Sequence, residues 1–155
     1  MRKFTTLIHL KDNSEPIVDT LNSLKISDEI LVIDHVAKEE TTKLLRTHGA
    51  RVVEAINGVH DGAYVTNANN DWVLCLRPTE SINEELCAAL QRWKQAEEKN
   101  DNQIAGYTVT VASPNTNGNQ QELRFVNRTR LNWTEELPGS ASNVLPLPGS
   151  LLLAA

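Results

Sequence analysis

The sequence predicts one α/β domain built on a mixed, mainly parallel sheet. Strand-like and helical stretches alternate through the first hundred residues, the pattern of strands joined by helical crossovers. Residues 30–33 and 72–76 are continuous apolar runs, as in strands covered on both faces. Two β-rich runs joined by the turn-rich "SPNTNGN" then add an antiparallel pair. At 155 residues, the chain is the size of a single domain with a substantial core.

Residues 4–10 form the first strand, closed by the polar 11–15 loop. Pro16 suits a first helical position, and Ile17, Val18, Leu21 and Leu24 follow at helical spacing. The second strand, 30–33, leads through Asp34 into a helix over about 38–48. Gly49 ends that helix as the residue able to turn left-handed. Residues 51–55 give a third strand, and the Asn/Gly-rich 57–70 stretch a long loop with room for one helical turn. After the fourth strand, 72–76, Ser81 and Glu84 have capping-box spacing. Ile82, Leu86, Ala89, Leu90 and Trp93 make one apolar stripe on the helix that follows. Residues 104–112 and 121–127 are the antiparallel strands. The Pro/Gly/Ser-punctuated 140–155 stretch is set apart from the 1–139 domain as an apolar tail, either disordered or packed on a partner.

Composition narrows the function. Apolar residues make up 40% and charged ones 23%, which is globular rather than disordered. A net charge of −5 lacks the basic face a nucleic-acid binder needs. No apolar run approaches a membrane span, and the 7–10 stretch is too short for a signal peptide. Cys75 and Cys87 read as small buried hydrophobes in a reducing compartment, which implies the cytoplasm. His9, His35, His48 and His60 show no metal-ligand spacing, so no metal site is assigned.

Three stretches carry a resemblance. "SDEILVIDHVAKEETTKLLRTHGARVV" is similar to the "DEIIVVDSGSTDGT…A…GA.V" segment of family 2 glycosyltransferases. Asp34 falls on its first aspartate, Glu39 near its second and Thr41 on its threonine. "NNDWVLCLRPTE" resembles that family's "GDWVLFLDADE", with Trp72, Leu76 and Glu80 in place. "LRFVNRTRLNWTEEL" resembles its segment ending in a His-Glu pair, with Glu136 on the glutamate. The likeness spans roughly residues 3–137. It implies a GT-A-like three-layer α/β/α sandwich and transfer of a sugar from a nucleotide-diphosphate donor.

The resemblance also assigns roles. Asn13, Glu15, Asp34 and Glu39 fall where the family holds the nucleotide, and Glu136 where an inverting transfer takes its general base. The family's Asp-x-Asp motif holds a divalent cation that neutralises the leaving diphosphate. Arg77 and Thr79 occupy those two positions here, and neither supplies a metal-binding carboxylate. The divalent ion, Mn or Mg, is therefore doubtful. Arg77 becomes the candidate diphosphate contact, since a guanidinium pairs bidentately with phosphate oxygens. Asp61 stands where relatives often carry arginine, adding repulsion.

Each of these residues also has a plainer reading. Asp34 suits a helix cap, Asn13 and Glu15 a turn, Arg77 a salt bridge to Glu80, and Glu136 an exposed strand end. Arg124, Arg128 and Arg130 alternate as on one strand face, either solvated or lining an anionic pocket. Two functions follow. One is a divergent glycosyltransferase with reduced or lost catalysis. The other is a non-catalytic scaffold binding a nucleotide, a sugar or a protein partner. The apolar tail also suggests a homo-oligomer contact.

Overall fold

The structure, a computed structural model, describes residues 1–12, 17–112 and 119–153. Eight strands form one sheet: β1 (Phe4–Leu10), β2 (Glu29–Asp34), β3 (Arg51–Glu54), β4 (Trp72–Leu76), β5 (Glu80–Ile82), β6 (Gly106–Val111), β7 (Gln120–Asn127) and β8 (Val144–Leu153). Three helices accompany them: α1 (Ile17–Asn22), α2 (Glu39–Thr47) and α3 (Glu84–Gln95). The strand order is β3-β2-β1-β4-β7-β6-β8-β5. The first four strands in this order pair in parallel, β7 is antiparallel to β4 and β6, and β8 is parallel to β6 and antiparallel to β5. The mixed, mainly parallel sheet is the predicted one.

Alternation along the strands sorts the side chains into two layers. Phe4, Ile8 and Leu10 of β1 join Val32, Leu74, Leu76, Phe125 and Leu151 beneath the helices, where Leu21, Leu45, Leu86, Leu90 and Trp93 complete one buried cluster. Leu7, Leu31, Ile33, Val73 and Cys75 face the other way. They are covered by Tyr64, Val65 and Ala68 of a 3₁₀ segment, Asp61–Asn67, and by Trp133 and Leu137. Phe125 is the centre of an aromatic group, with Phe4, Trp72, Trp93 and Tyr107 all within 6.0 Å centroid to centroid. Cys75 is fully buried and Cys87 half-buried, both unpaired.

Several local expectations shift. The α3 cap is Asn83, whose side chain accepts from the Leu86 amide at 2.9 Å, while Ser81 lies in β5. The capping box loses because Glu80 and Ile82 are buried when residues 80–82 run as a strand against β8. Gly49 follows α2 at φ +89°, as its position predicted. Pro16 lies outside the described residues.

The largest difference is at the C-terminus. Residues 144–153, read as a tail, are a strand inside the sheet, between β6 and β5. Leu151 of the supposed stub is completely buried in the chain's own core, leaving Leu145 and Leu152 exposed. Among the described residues, no helix is long and apolar enough to cross a membrane.

Candidate functional site

The chain runs from β1 outward to β2 and β3, then returns to β4 on the other side of β1. Such a reversal opens a crevice beyond the carboxyl ends of the strands, where ligands of open α/β sheets bind. The predicted site residues that the structure describes lie in two clusters with different characters.

The first cluster gathers at the ends of β1 and β2. His9 interrupts an otherwise largely apolar β1 and shares its face with Leu7. Its ring lies edge-on to Tyr64, 5.9 Å away. Its Nδ1 is 3.0 Å from Nε2 of His35, the first residue after β2. His35 Nε2 is 3.9 Å from an Asp61 carboxylate oxygen. The Lys11 ammonium donates to the other Asp61 oxygen at 2.6 Å and lies 3.3 Å from Glu136. That hydrogen bond holds the Asp61 carboxyl below the usual range and raises Lys11 above its own. The repulsion expected of Asp61 is thus answered locally by Lys11. Glu136 is brought into the crevice from the far end of the sequence, while its neighbour Glu135 is exposed.

Burial lowers the His9 pKa to about 4, and the attraction of Asp61 and Glu136 only partly opposes it. His9 is therefore a neutral imidazole near pH 7.

Asp34 is 1% exposed at the end of β2. One carboxylate oxygen accepts from the Val36 and Ala37 amides, at 2.9 and 3.1 Å. The other accepts from the Thr42 hydroxyl at 3.2 Å. These bonds fix the turn into α2, where Ala37 takes φ 58° and the N-cap Lys38 makes no side-chain bond. Glu39 is exposed on the first turn of α2. Asn13 and Glu15 lie outside the described residues.

The second cluster is at the end of β4. Glu80 is wholly buried and receives a two-pronged bond from Arg124, at 2.6 and 2.9 Å, plus the Arg77 amide at 2.7 Å. Arg124 also donates to the Cys75 carbonyl at 3.1 Å and to Glu122 at 2.9 Å. Burial alone would weaken the Arg124 charge, but the bonds to Glu80 and Glu122 outweigh it and hold the guanidinium protonated. The Arg77 guanidinium is half-exposed, at the longer distances of 3.6 Å from Glu80 and 3.9 Å from Glu122.

The expectation of three arginines on one strand face does not hold. Arg124 is buried in β7, while Arg128 and Arg130 sit in a 3₁₀ turn and bond the carbonyls of Asn70 and Ile104. Sequence reading also missed Arg124 as the partner of Glu80, and the meeting of His9, His35 and Asp61. A cavity of about 330 Å³ lies at the opposite, amino-terminal edge of the sheet. Its Arg2, Trp93 and Asp101 already satisfy one another, so it is a poor rival to the crevice.

Gly62, next to Asp61, packs against the backbone of residues 133 and 134. A β-carbon there would meet the backbone of Trp133 at 2.6 Å and of Thr134 at 2.8 Å. Backbone cannot swing aside, so Gly62→Ala is expected to cost about 1–3 kcal/mol as overpacking. A lower urea midpoint at unchanged slope is the check.

No family model matches the chain. An uncharacterised glycosyltransferase of Rickettsia prowazekii is 32% identical over 90 residues, covering 56% of this chain and 31% of that protein. The chain therefore spans about a third of the length of the curated relatives it matches. Among solved structures, S. aureus TarS superposes with a TM-score of 0.57 at 18% identity, covering 75% of this chain and 37% of that one. Glucosyl-3-phosphoglycerate synthase of Mycobacterium tuberculosis, in complex with phosphoglyceric acid, gives 0.62 at 12% identity, over 99% of this chain and 71% of that one. The same synthase with Mn2+, uridine diphosphate and phosphoglyceric acid gives 0.52 at 14%, over 73% and 44%. The fold is GT-A-like, and the sequence likeness is to glycosyltransferases.

Proposed function

We propose that this chain is a glycosyltransferase-like domain that binds a nucleotide-diphosphate sugar, with catalysis reduced or lost. The observation that carries this is the end of β4. The strand ends at the ligand crevice, but it delivers Arg77 and Thr79 rather than carboxylates, and the buried acid beside them, Glu80, is held by Arg124. In this reading Arg77 takes the diphosphate, being half-exposed and only loosely held by its two acids. Asp34 shapes the nucleotide-binding turn, with Glu39 on the first turn of the helix that follows; Asn13 and Glu15 keep the nucleotide role the resemblance gives them. Glu136 is the general base of any residual transfer, with Lys11 beside it. The two unpaired cysteines support a reducing, cytoplasmic setting. Self-association would use the exposed Leu145 and Leu152 rather than a free tail.

The test is thermal unfolding with UDP, GDP, UDP-glucose and GDP-mannose, each with and without manganese. A ligand at about a hundred times its dissociation constant adds roughly 2.7 kcal/mol, a shift of several degrees for a domain of this size. The expected result is a shift that needs no metal and shrinks in Arg77→Ala. A shift only with manganese would place the ion on other groups and remove the role of Arg77. No shift with any donor would favour the second reading, a scaffold whose ligand is a protein partner. The filled Asp34 carboxylate and the locked Glu80 favour that reading.

A further inference from the structure

His9, His35 and Asp61 each offer one ligand atom, and the three atoms lie within 4.8 Å of one another. They come from β1, the end of β2 and the start of the 3₁₀ segment, three places far apart in sequence. We propose that they form a binding site for a divalent transition-metal ion of the zinc type, separate from the position where a donor-bound cation would sit in the related fold.

The chemistry of the three groups points this way. Two imidazoles facing nitrogen to nitrogen at 3.0 Å need something electrophilic between them, either a shared proton or a metal ion. A histidine kept in a core for packing normally satisfies both ring nitrogens. His9 is 5% exposed, its Nε2 has no hydrogen-bond partner, and its Nδ1 meets only another imidazole.

The distances suit a small ion. Ligand atoms each about 2.1 Å from a metal can stand up to about 4.2 Å apart. The facing nitrogens at 3.0 Å and the His35–Asp61 pair at 3.9 Å both fall inside that limit, and the third separation, within 4.8 Å, asks for at most a small side-chain shift on binding. Lys11 holds one Asp61 oxygen and leaves the other turned toward His35. Its positive charge does not repel an ion overall. Asp61 and Glu136 together carry two negative charges against its one, leaving one net negative charge around the rings.

The ligand set also selects the metal. Imidazole nitrogens with one carboxylate suit zinc, cobalt, nickel or copper, whereas magnesium, calcium and manganese prefer sites made of oxygen. Three protein ligands leave a position for water or an exogenous oxygen, as in open rather than purely structural zinc sites.

The test contains no nucleotide, so its outcome does not depend on the proposed donor binding. The full chain is stripped with chelator, dialysed, and titrated with Zn2+ by calorimetry and with Co2+ by visible absorption. The expected result is one equivalent bound, with the d–d bands of a low-coordinate cobalt site. His35→Ala and Asp61→Asn should each weaken binding by more than the 10–100-fold that changes to groups behind a ligand cause. His60→Ala, a nearby exposed histidine, should bind as the native chain does. Circular dichroism of each variant checks the fold, and the polar replacement at Asp61 guards against His35→Ala failing to fold. Absence of stoichiometric binding would overturn the proposal and leave the two rings sharing a proton. Binding that survives both ligand variants, or is lost with His60, would place the ion elsewhere and overturn it equally.

Discussion

A chain ending at Gly139 is expected to lose its cooperative unfolding transition altogether. The missing part would include β8, which lies inside the sheet rather than beyond it. β8 pairs with β6 from Gly106↔Val144 to Val111↔Leu151, and β5 has β8 as its partner. Asn83 ties the same strand to α3: its amide donates to the Ser150 carbonyl, and its side chain accepts from the Ser150 amide while capping the helix. Leu151 is fully buried among the residues beneath the helices. Cutting before Val144 thus leaves β5 without its partner, strips β6 of one of its two neighbours, loosens a helix start and opens the core together. Domains of this kind hold about 5–15 kcal/mol in all, so losses on this scale exceed the margin. Urea unfolding followed by tryptophan fluorescence is the measurement. A truncated chain with the native midpoint and slope would show that β8 is an accessory. The expected failure also means that such a truncation cannot report on self-association.

The parallel half of the sheet was legible because β1, β2 and β4 are short apolar runs bounded by polar turns, and burial on both faces imposes that pattern. β8 was not legible because Pro146, Pro148 and Gly149 read as punctuation. The structure accommodates them where the register slips: Thr108 pairs with Pro146 and Thr110 with Ser150, so β8 carries extra residues that bulge out of the ladder. Gly149 there takes φ +98° and packs on Leu86 too closely for a β-carbon.

The site divides the same way. Of the residues named by position within a motif, Asp34 and Arg77 lie at strand ends, and Glu136 lies in a loop beside Lys11. Glu80 and Glu136, by contrast, meet partners 40 or more residues away, and His9 meets His35 from the end of another strand, which no local spacing reveals. The one local sign was His9 itself, a polar ring in a strand whose seven residues are all buried.

Glu80→Ala is expected to be among the most damaging single substitutions in the chain, at about 3–5 kcal/mol. Glu80 and Arg124 are 0% and 1% exposed and joined by two short bonds. Arginine does not give up its proton when its partner is removed, so the variant would bury an uncompensated charge. Glu122, 2.9 Å from Arg124 but partly in solvent, answers some of it and places the loss toward the lower end. The Arg77 amide would also lose its acceptor. The damage measures the orphaned charge rather than the worth of the pair, because desolvating two ions costs nearly what their attraction returns. Replacing both, as in Glu80→Leu with Arg124→Met, should therefore destabilise less than Glu80→Ala alone. The remaining cost would come from the unpaired Arg77 amide and Cys75 carbonyl, at about 1–3 kcal/mol each. Urea midpoints for the two single variants and the double complete the cycle. A double variant as unstable as the sum of the singles would mean that the groups do not act as a pair.

The pair also bears on the chemistry. It fastens the turn after β4 to β7, so Glu80 holds the strand end in place. An acid held by two arginine bonds at the bottom of the core is a structural anchor and not a free ligand. Restoring aspartates at 77 and 79 is therefore the change that would return carboxylates to this strand end, with Glu80 still bound to Arg124.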